Sequence, residues 1–212
     1  PYKLSALIII IERAHNQAKY VLVSKIVLVY SQAYMGNVMN KREKTYLAIL
    51  DASWDLFNEY GYHETTTRQI SQQAGVATGT VFSHFPSKAE ILKVAMYRKI
   101  EDVIKNAALS DTHHTPRLKL RHYAKHLYAF YLENREFSKE LVVCILWQQA
   151  YFVDQLDAFK LTLYSETQYD AAQANIMMDC YFMTLLQGLC NEAQTADEMV
   201  RVLSNKLHLI QK

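Results

Sequence analysis

The sequence predicts an all-α protein, and three observations support that class. The 212-residue chain contains only five glycines and three prolines, half of its residues are apolar, and its apolar side chains recur at helical spacing over long stretches. A β architecture of this size would need many turns, which call for more glycine and proline. The length leaves room for two helical units, each large enough to bury its own core.

Residues 1–38 are predicted to be an extension upstream of the functional protein, as would result from a misplaced start site. Two apolar runs, Leu4–Ile11 and Tyr20–Tyr30, are separated by the polar stretch Glu12–Lys19. Neither run reaches the roughly 18 to 20 residues that span a bilayer, and two runs with a charged break do not fit a secretory signal. A membrane-associated extension and an extra helix packed on the body are the alternatives.

A first helix is predicted over Lys41–Tyr60, within a domain that we place at residues 39–105. Its apolar stripe consists of Leu47, Leu50, Trp54 and Phe57. This spacing gives one buried face, and Gly61 stands where a helix ends in a left-handed residue.

A second, short helix is predicted to begin at a capping box, Thr66–Gln69, in which the threonine and glutamine side chains satisfy backbone amides. Ile70 and Ala74 stand four residues apart on its inner face. Gly75 can adopt a positive φ, and Val76 follows as an apolar plug. We therefore expect a sharp turn here.

The helix after this turn is predicted to carry two core anchors, Val81 and Phe85, on one side. The side chains expected on the other side are Thr78, Thr80, Phe82, Ser83 and His84. A helix that enters the major groove of DNA needs small polar side chains near its N-terminus, and Gly79 would let the backbone approach a phosphate. Ser87 is expected to cap the following helix, which places Lys88 near a phosphate.

The charge distribution also supports DNA binding by this part of the chain. The net charge of +2 is too small to indicate a nucleic-acid partner, but residues 65–89 contain no Asp or Glu. The same stretch contains Arg68, His84 and Lys88, so this short part of the chain is electropositive.

The segment resembles the DNA-binding signature of the TetR family of regulators over about 50 residues. The matching residues are Gly61, Tyr62, Thr65, Thr66, Ile70, Ala74, Gly75, Val76, Gly79, Thr80, His84, Phe85 and Lys88. The resemblance implies a helix-turn-helix that binds a palindromic operator, a ligand-controlled repressor and a homodimer. Ala77 and Phe82 stand where a serine and a tyrosine are common, so Phe82 lacks the phosphate-contacting hydroxyl and is expected to meet a thymine methyl.

The DNA-contact candidates are therefore Thr66, Arg68, Thr78, Gly79, Thr80, Phe82, Ser83, His84 and Lys88. Each has a structural alternative. Thr66 would also cap its helix, Arg68 and Thr78 could be solvated surface, and His84 could pack between helices. Tyr62 is expected in the core.

Residues 106–212 are predicted to form a helical ligand-binding and dimerisation domain. Thr115 and Pro116 open a helix to about Asn134, with an inner face of Leu120, Ala124, Leu127 and Tyr131. Ser138 is expected to cap a central helix over residues 139–153. A further apolar helix follows over residues 169–191, and Thr195 opens the last one with a second capping box.

By resemblance, the last two helices are expected to form the dimer interface. The candidates for the lining of a pocket for a small apolar or aromatic ligand are Tyr123, Phe130, Trp147, Met178 and Phe182. Aromatic and methionine side chains at helical spacing are more often ordinary core, which is the alternative for all five.

Other functions are less well supported. His122 and His126, with His113 and His114 nearby, could begin a metal site, but spacing fixes no acidic or thiol partner, so we expect no metal and no cofactor. No catalytic motif is present, so an enzyme is not expected. A DNA-binding architectural protein without a ligand switch is the alternative function.

The cysteines indicate the compartment. Cys144, Cys180 and Cys190 are odd in number and lack CxxC spacing. They are expected to be buried thiols in a reducing cytoplasm, where the protein would meet the nucleoid, with a redox sensor as the alternative.

Overall fold

A computed structural model describes residues 40–147 and 149–210, without the side chains of residues 146–151. The regular secondary structure in this part is helical throughout, which confirms the all-α class. The helices are α1 (Lys41–Tyr60), α2 (Thr67–Gln73), α3 (Thr78–His84), α4 (Lys88–Ala108), α5 (Pro116–Glu133), α6 (Arg135–Trp147), α7 (Gln149–Leu163), α8 (Ala171–Cys190) and α9 (Ala196–His208). The chain divides into residues 1–44 and 45–212, and the packing described below is that of the second unit. The predicted extension at residues 1–38 lies outside the described residues.

Helix α1 ends as predicted, at a left-handed glycine. Gly61 has a φ of +86°, and its N–H donates to the carbonyl of Phe57 at 2.9 Å. Leu50 and Phe57 are buried in the core, whereas Trp54 is half-buried and packs against it. Leu50, Trp54 and Phe57 of the predicted stripe thus face the body of the protein, whereas Leu47 is half-buried and is not among the side chains packed on the core.

The turn between α2 and α3 also follows the prediction. The capping box of Thr66 and Gln69 is formed, and Gly75 has a φ of +66°. Ile70, Val81 and Phe85 are buried on the inner side of the turn. Because these three side chains are enclosed, the remaining face of α3 is directed away from the core.

The N-termini of α4 and α5 differ in how they are capped. Ser87 accepts a hydrogen bond from the N–H of Glu90, as predicted. Pro116 is the first residue of α5 and Thr115 is its N-cap residue, as predicted, but the Thr115 side chain makes no capping hydrogen bond. Proline itself removes one unsatisfied N–H from this helix start. The predicted inner face of α5 is buried throughout.

The single helix predicted over residues 139–153 is wrong. Helix α6 already begins at Arg135, and a separate helix, α7, follows it. Ser138 is therefore inside α6 and caps nothing: its buried hydroxyl donates to the carbonyl of Tyr131 at 3.0 Å. Arg135 secures the start of α6 by donating to the carbonyls of Gly188 and Leu189 at 2.8 and 2.9 Å.

The last two helices pack closely together. Asp170 caps α8, and the predicted capping box of Thr195 and Glu198 opens α9. A Cβ at Gly188 of α8 would overlap the sulfur of Met199, which is fully buried on α9. The absence of a side chain at Gly188 is what permits this approach.

The cysteines are less buried than expected. Cys190 is exposed at the end of α8, and Cys144 and Cys180 are only partly buried. A residue with apolar neighbours in sequence is still accessible to solvent when it lies on the outer face of its helix. Among the described helices, none combines the length and hydropathy needed to cross a membrane.

The close approach of α8 and α9 gives a test of the fold. Gly188→Ala should lower the free energy of unfolding by about 1–3 kcal/mol, because the methyl group overlaps the buried Met199 side chain. Denaturant unfolding measures this. Gly79→Ala is the matched control, since no atom lies within 4 Å of a Cβ there. Equal stability of both variants would contradict the packing of α8 on α9.

Candidate DNA-binding surface and ligand cavity

The outward face of α3 is a surface without core contacts. Phe82 is 51% exposed, and Gly79 and Ser83 are exposed beside it. Thr80 is half-buried, and its hydroxyl makes no hydrogen bond within the part of the chain described. We call Gly79, Thr80, Phe82 and Ser83 the α3 surface.

Three of the predicted contact side chains on α3 have internal partners. The hydroxyls of Thr78 and Ser71 lie 2.9 Å apart, so Thr78 joins α3 to α2. Ser83 donates to the carbonyl of Thr80 at 2.8 Å. His84 is half-buried, with its ring centroid 6.1 Å from that of Tyr46. Because Thr78, Ser83 and His84 have partners within the protein, Phe82 and Thr80 are the better candidates for contact with DNA.

Helix α2 adds one cation beside this surface. Arg68 is exposed and forms no ion pair with a described residue. Thr66 is also exposed, but its hydroxyl is engaged in the capping box, where it accepts from the N–H of Gln69 at 3.2 Å and donates to the Gln69 side chain at 2.7 Å. The two predicted roles of Thr66 are compatible, because a hydroxyl has two acceptor lone pairs.

Lys88 is held by the protein itself. Its Nζ donates to the carbonyls of Tyr62, His63 and Thr65 at 2.7, 3.1 and 2.8 Å, and it lies 4.5 Å from the centroid of the Tyr62 ring. Burial lowers the pKa of Lys88. An ammonium has three donors, and all three are used here. A phosphate contact by Lys88, as the sequence predicts, would have to displace one of these carbonyls.

The turn held by Lys88 is also the link to the second half of the chain. The N–H of Tyr62 donates to Glu136 of α6 at 3.1 Å. His63 lies 3.6 Å from Glu140, also on α6. On the other side of α1, Trp54 stacks on Phe130 of α5 with ring centroids 6.3 Å apart. Helices α5 and α6 thus contact the domain that carries α3.

A cavity of about 240 Å³ lies among α4 to α8. Its walls are mainly apolar and include Ile104, Leu127, Ile145 and Phe159. Of the predicted ligand contacts, Met178 and Phe182 line the cavity. Tyr123 does not line the cavity but packs against Phe159 of its wall, Phe130 stacks on Trp54, and the side chain of Trp147 lies outside the described residues.

A few polar groups reach the cavity. The hydroxyl of Tyr181 is fully buried close to the side chain of Tyr131, and both residues line the cavity. Burial raises the pKa of Tyr181 well above its usual value, and nearby Tyr131 raises it further. Tyr97 donates to Glu101 at 3.0 Å on α4. An apolar space with a few polar side chains in its wall suits a mainly apolar molecule.

One group of side chains could hold a metal ion. Potential donor atoms of Asp111, His113 and His122 lie within 4.8 Å of one another. The sequence indicated both histidines but not the acidic partner. Asp111 lies in the loop before α5, and helical spacing relates only residues of the same helix, so it could not bring Asp111 and His122 together.

Sequence reasoning also missed the roles of Ser71 and Glu136. Ser71 is an ordinary polar residue in sequence, and its bond to Thr78 exists only because α2 and α3 cross at Gly75. Glu136 meets Tyr62 across 74 residues of sequence. No local pattern could have shown either contact.

The position of Lys88 gives a test of the turn. Lys88→Ala should lower the free energy of unfolding by about 1–3 kcal/mol, since three carbonyls of the turn, two of them half-buried, lose a charged donor. Lys105→Ala, on the exposed side of the same helix, should change it by less than about 0.5 kcal/mol. Equal stability of the two variants in denaturant unfolding would show that Lys88 does not hold the turn.

Known proteins resemble this chain in two ways: in the sequence of the helix-turn-helix and in the fold of most of the chain. Residues 49–95 match the family model for bacterial regulatory proteins of the tetR family. The fatty acid metabolism regulator protein of Bacillus subtilis is 39% identical over 54 residues, which are 26% of this chain and 28% of the relative. The chain thus spans less than a third of this curated relative's length in the match, and the matched proteins are regulators rather than enzymes.

Solved structures extend the likeness to most of the chain. FadR of Thermus thermophilus, a TetR-family repressor in complex with lauroyl-CoA, has a TM-score of 0.57 at 21% identity, with 77% of this chain and 92% of that chain covered. A TetR regulator of Rhodococcus sp. RHA1 has a TM-score of 0.60 at 16% identity, covering 81% and 99%. The helix-turn-helix segment thus matches the tetR family in sequence, and over most of the chain the likeness to these regulators is one of fold.

Proposed function

We propose that this chain is a transcription regulator that binds a palindromic DNA operator as a homodimer and represses until a small apolar or aromatic ligand enters the cavity. The observation that carries the proposal is the α3 surface, which is exposed while Val81 and Phe85 fix the opposite side of the helix. In this proposal residues 39–105 bind DNA, residues 106–212 bind ligand and dimerise, and the protein acts in the cytoplasm.

The α3 surface suits the major groove in shape and chemistry. The groove is about 12 Å wide and admits one helix. Gly79 brings the backbone close to DNA, Thr80 offers a free hydroxyl, and Phe82 offers an apolar contact for a thymine methyl. Arg68 is available for a phosphate, and the absence of Asp and Glu from residues 65–89 avoids repulsion of the DNA.

A homodimer would match a palindromic operator. Ile176 and Met183 are 47% and 52% exposed on the outer face of α8. Two large apolar side chains seven residues apart form one stripe on a helix, and such a stripe favours packing against a second copy. Two α3 helices related by a two-fold axis could then enter successive major grooves.

The cavity supports a ligand-controlled repressor over an architectural DNA-binding protein. FadR of Thermus thermophilus holds lauroyl-CoA and the Bacillus subtilis relative regulates fatty acid metabolism, so an acyl chain is one class of apolar ligand to test. Ile100 and Ile104 of α4 line the cavity, and the same helix begins at Lys88 beside the DNA-binding helices. A ligand that fits one position of α4 better than another would shift the population away from the DNA-bound form.

The operator can be tested by selection from random duplex DNA, followed by affinity measurements. The purified protein should enrich two inverted half-sites whose centres are about 10 base pairs apart or a multiple of that. On this operator, Gly79→Ala should bind at least about tenfold more weakly, or ~1.4 kcal/mol, because the methyl group obstructs the approach of the backbone.

The control for Gly79→Ala is its own stability. Since the Cβ has open space in the free protein and alanine favours a helix over glycine, the variant should unfold at the same or a slightly higher denaturant concentration than the unchanged protein. Loss of DNA affinity with unchanged stability would place Gly79 at the DNA. Unchanged affinity, or a random pool without enriched half-sites, would contradict the proposal.

The ligand switch can be tested with a panel of fatty acids, acyl-CoA esters and aromatic compounds. At least one compound should release the operator, and Met178→Trp should need about tenfold more of it because the larger side chain fills the cavity. Leu161→Trp, at an exposed position of α7, should respond like the unchanged protein. If the Met178→Trp variant released the operator at the same compound concentration as the unchanged protein, this cavity would be excluded as the ligand site.

A further inference from the structure

A cluster of nitrogen and oxygen donors lies outside the DNA-binding surface and the cavity. It consists of Asp111 in the loop after α4, His113 in the same loop and His122 on α5. Potential donor atoms of all three lie within 4.8 Å of one another. The ring centroids of His113 and His122 are 5.4 Å apart, and His113 Nδ1 lies 2.9 Å from Asp111 Oδ1. The three side chains therefore converge on one point.

The hydrogen bond of His122 prepares the ring for metal binding. Its Nε2 lies 2.8 Å from the carbonyl of Ala107, an acceptor only, so Nε2 carries the proton. The neutral ring then has its free lone pair on Nδ1. A backbone carbonyl that binds the second ring nitrogen is the usual support for a metal-bound histidine, since it fixes both the tautomer and the ring orientation.

Asp111 supplies a fixed negative charge. Its side chain is 6% exposed. The backbone N–H of His113 donates to Asp111 Oδ1 at 3.0 Å, and the ammonium of Lys119 lies 3.6 Å from Asp111 Oδ2. These contacts hold the carboxylate in place beside the two imidazole rings.

Lys119 leaves room for a second cation at Asp111. Its Nζ lies 3.6 Å from Oδ2, the carboxylate oxygen that does not bond to His113. The same Nζ is closer to Ser165 Oγ and Glu166 Oε1, at 3.1 Å from each. Lys119 thus orients the carboxylate from its far side, as an outer partner of a metal ligand does.

We propose that Asp111, His113 and His122 bind a divalent transition-metal ion, with Zn²⁺ as the best match. Two imidazoles and one carboxylate favour zinc over magnesium or calcium, which prefer sites made of oxygen alone. On binding, the Nδ1 proton of His113 moves to Nε2, so that Nδ1 can coordinate the ion. The fourth position is taken by water. The ion joins the loop after α4 to α5.

The test is isothermal titration of the purified full chain, without a histidine tag, with zinc chloride. One ion per chain should bind, and His122→Ala and Asp111→Asn should each weaken binding at least tenfold. Asp111→Asn keeps the size of the side chain, so it also serves if His122→Ala fails to fold. Co²⁺ serves as a second probe, because histidine coordination gives it a visible absorption band that both variants should lose.

His114→Ala is the matched control. His114 is next to His113 in the chain, but its side chain is 81% exposed and pairs with Glu166. This variant should bind zinc as the unchanged protein does. Absence of zinc binding, unchanged affinity in both site variants, or an equal loss in His114→Ala would overturn the proposal.

Discussion

The helix-turn-helix depends on how α2 and α3 meet at Gly75. The positive φ of this glycine turns the chain, and Ile70, Val81 and Phe85 are enclosed on the inner side. Because the inner face of α3 is committed to the core, its outer face is determined as well. Any change that rotated α3 would bury Phe82 and expose Val81, which would cost the protein part of its core.

A second constraint connects this corner to the rest of the molecule. Lys88 gathers the carbonyls of the turn after α1, and Glu136 of α6 accepts from an N–H of the same turn. Helix α6 also contributes to the cavity through Leu141 and Ile145. The cavity and the helix-turn-helix are therefore joined by packed helices, α4 and α6, and the proposed ligand would need only to favour one arrangement of them.

Local patterns predicted the N-terminal half of the described fold almost completely. The end of α1 at Gly61, the capping box at Thr66 and the anchors Val81 and Phe85 are all encoded within a few residues of sequence. The predictions for residues 106–212 were poorer wherever contacts between helices determine where a helix begins or which side chains line the cavity. Ser138 looks like a cap in sequence, yet Arg135 starts α6 earlier by bonding to the end of α8. Tyr123 and Phe130 have the composition of a pocket wall, but their neighbours place them in packing contacts elsewhere.

The contact side chains of α3 show the same limit. Spacing separated the buried from the outward positions, but it could not show that Thr78 bonds to Ser71 or that Lys88 is surrounded by carbonyls. Their roles at DNA stay predictions.

The most direct test is photo-crosslinking on the selected operator, with p-benzoylphenylalanine placed at position 82 or, in a second sample, at position 161. The account predicts crosslinks to the DNA from position 82 and none from position 161 on α7. Crosslinks from neither position, or from both equally, would contradict the assignment of α3 as the DNA-binding helix.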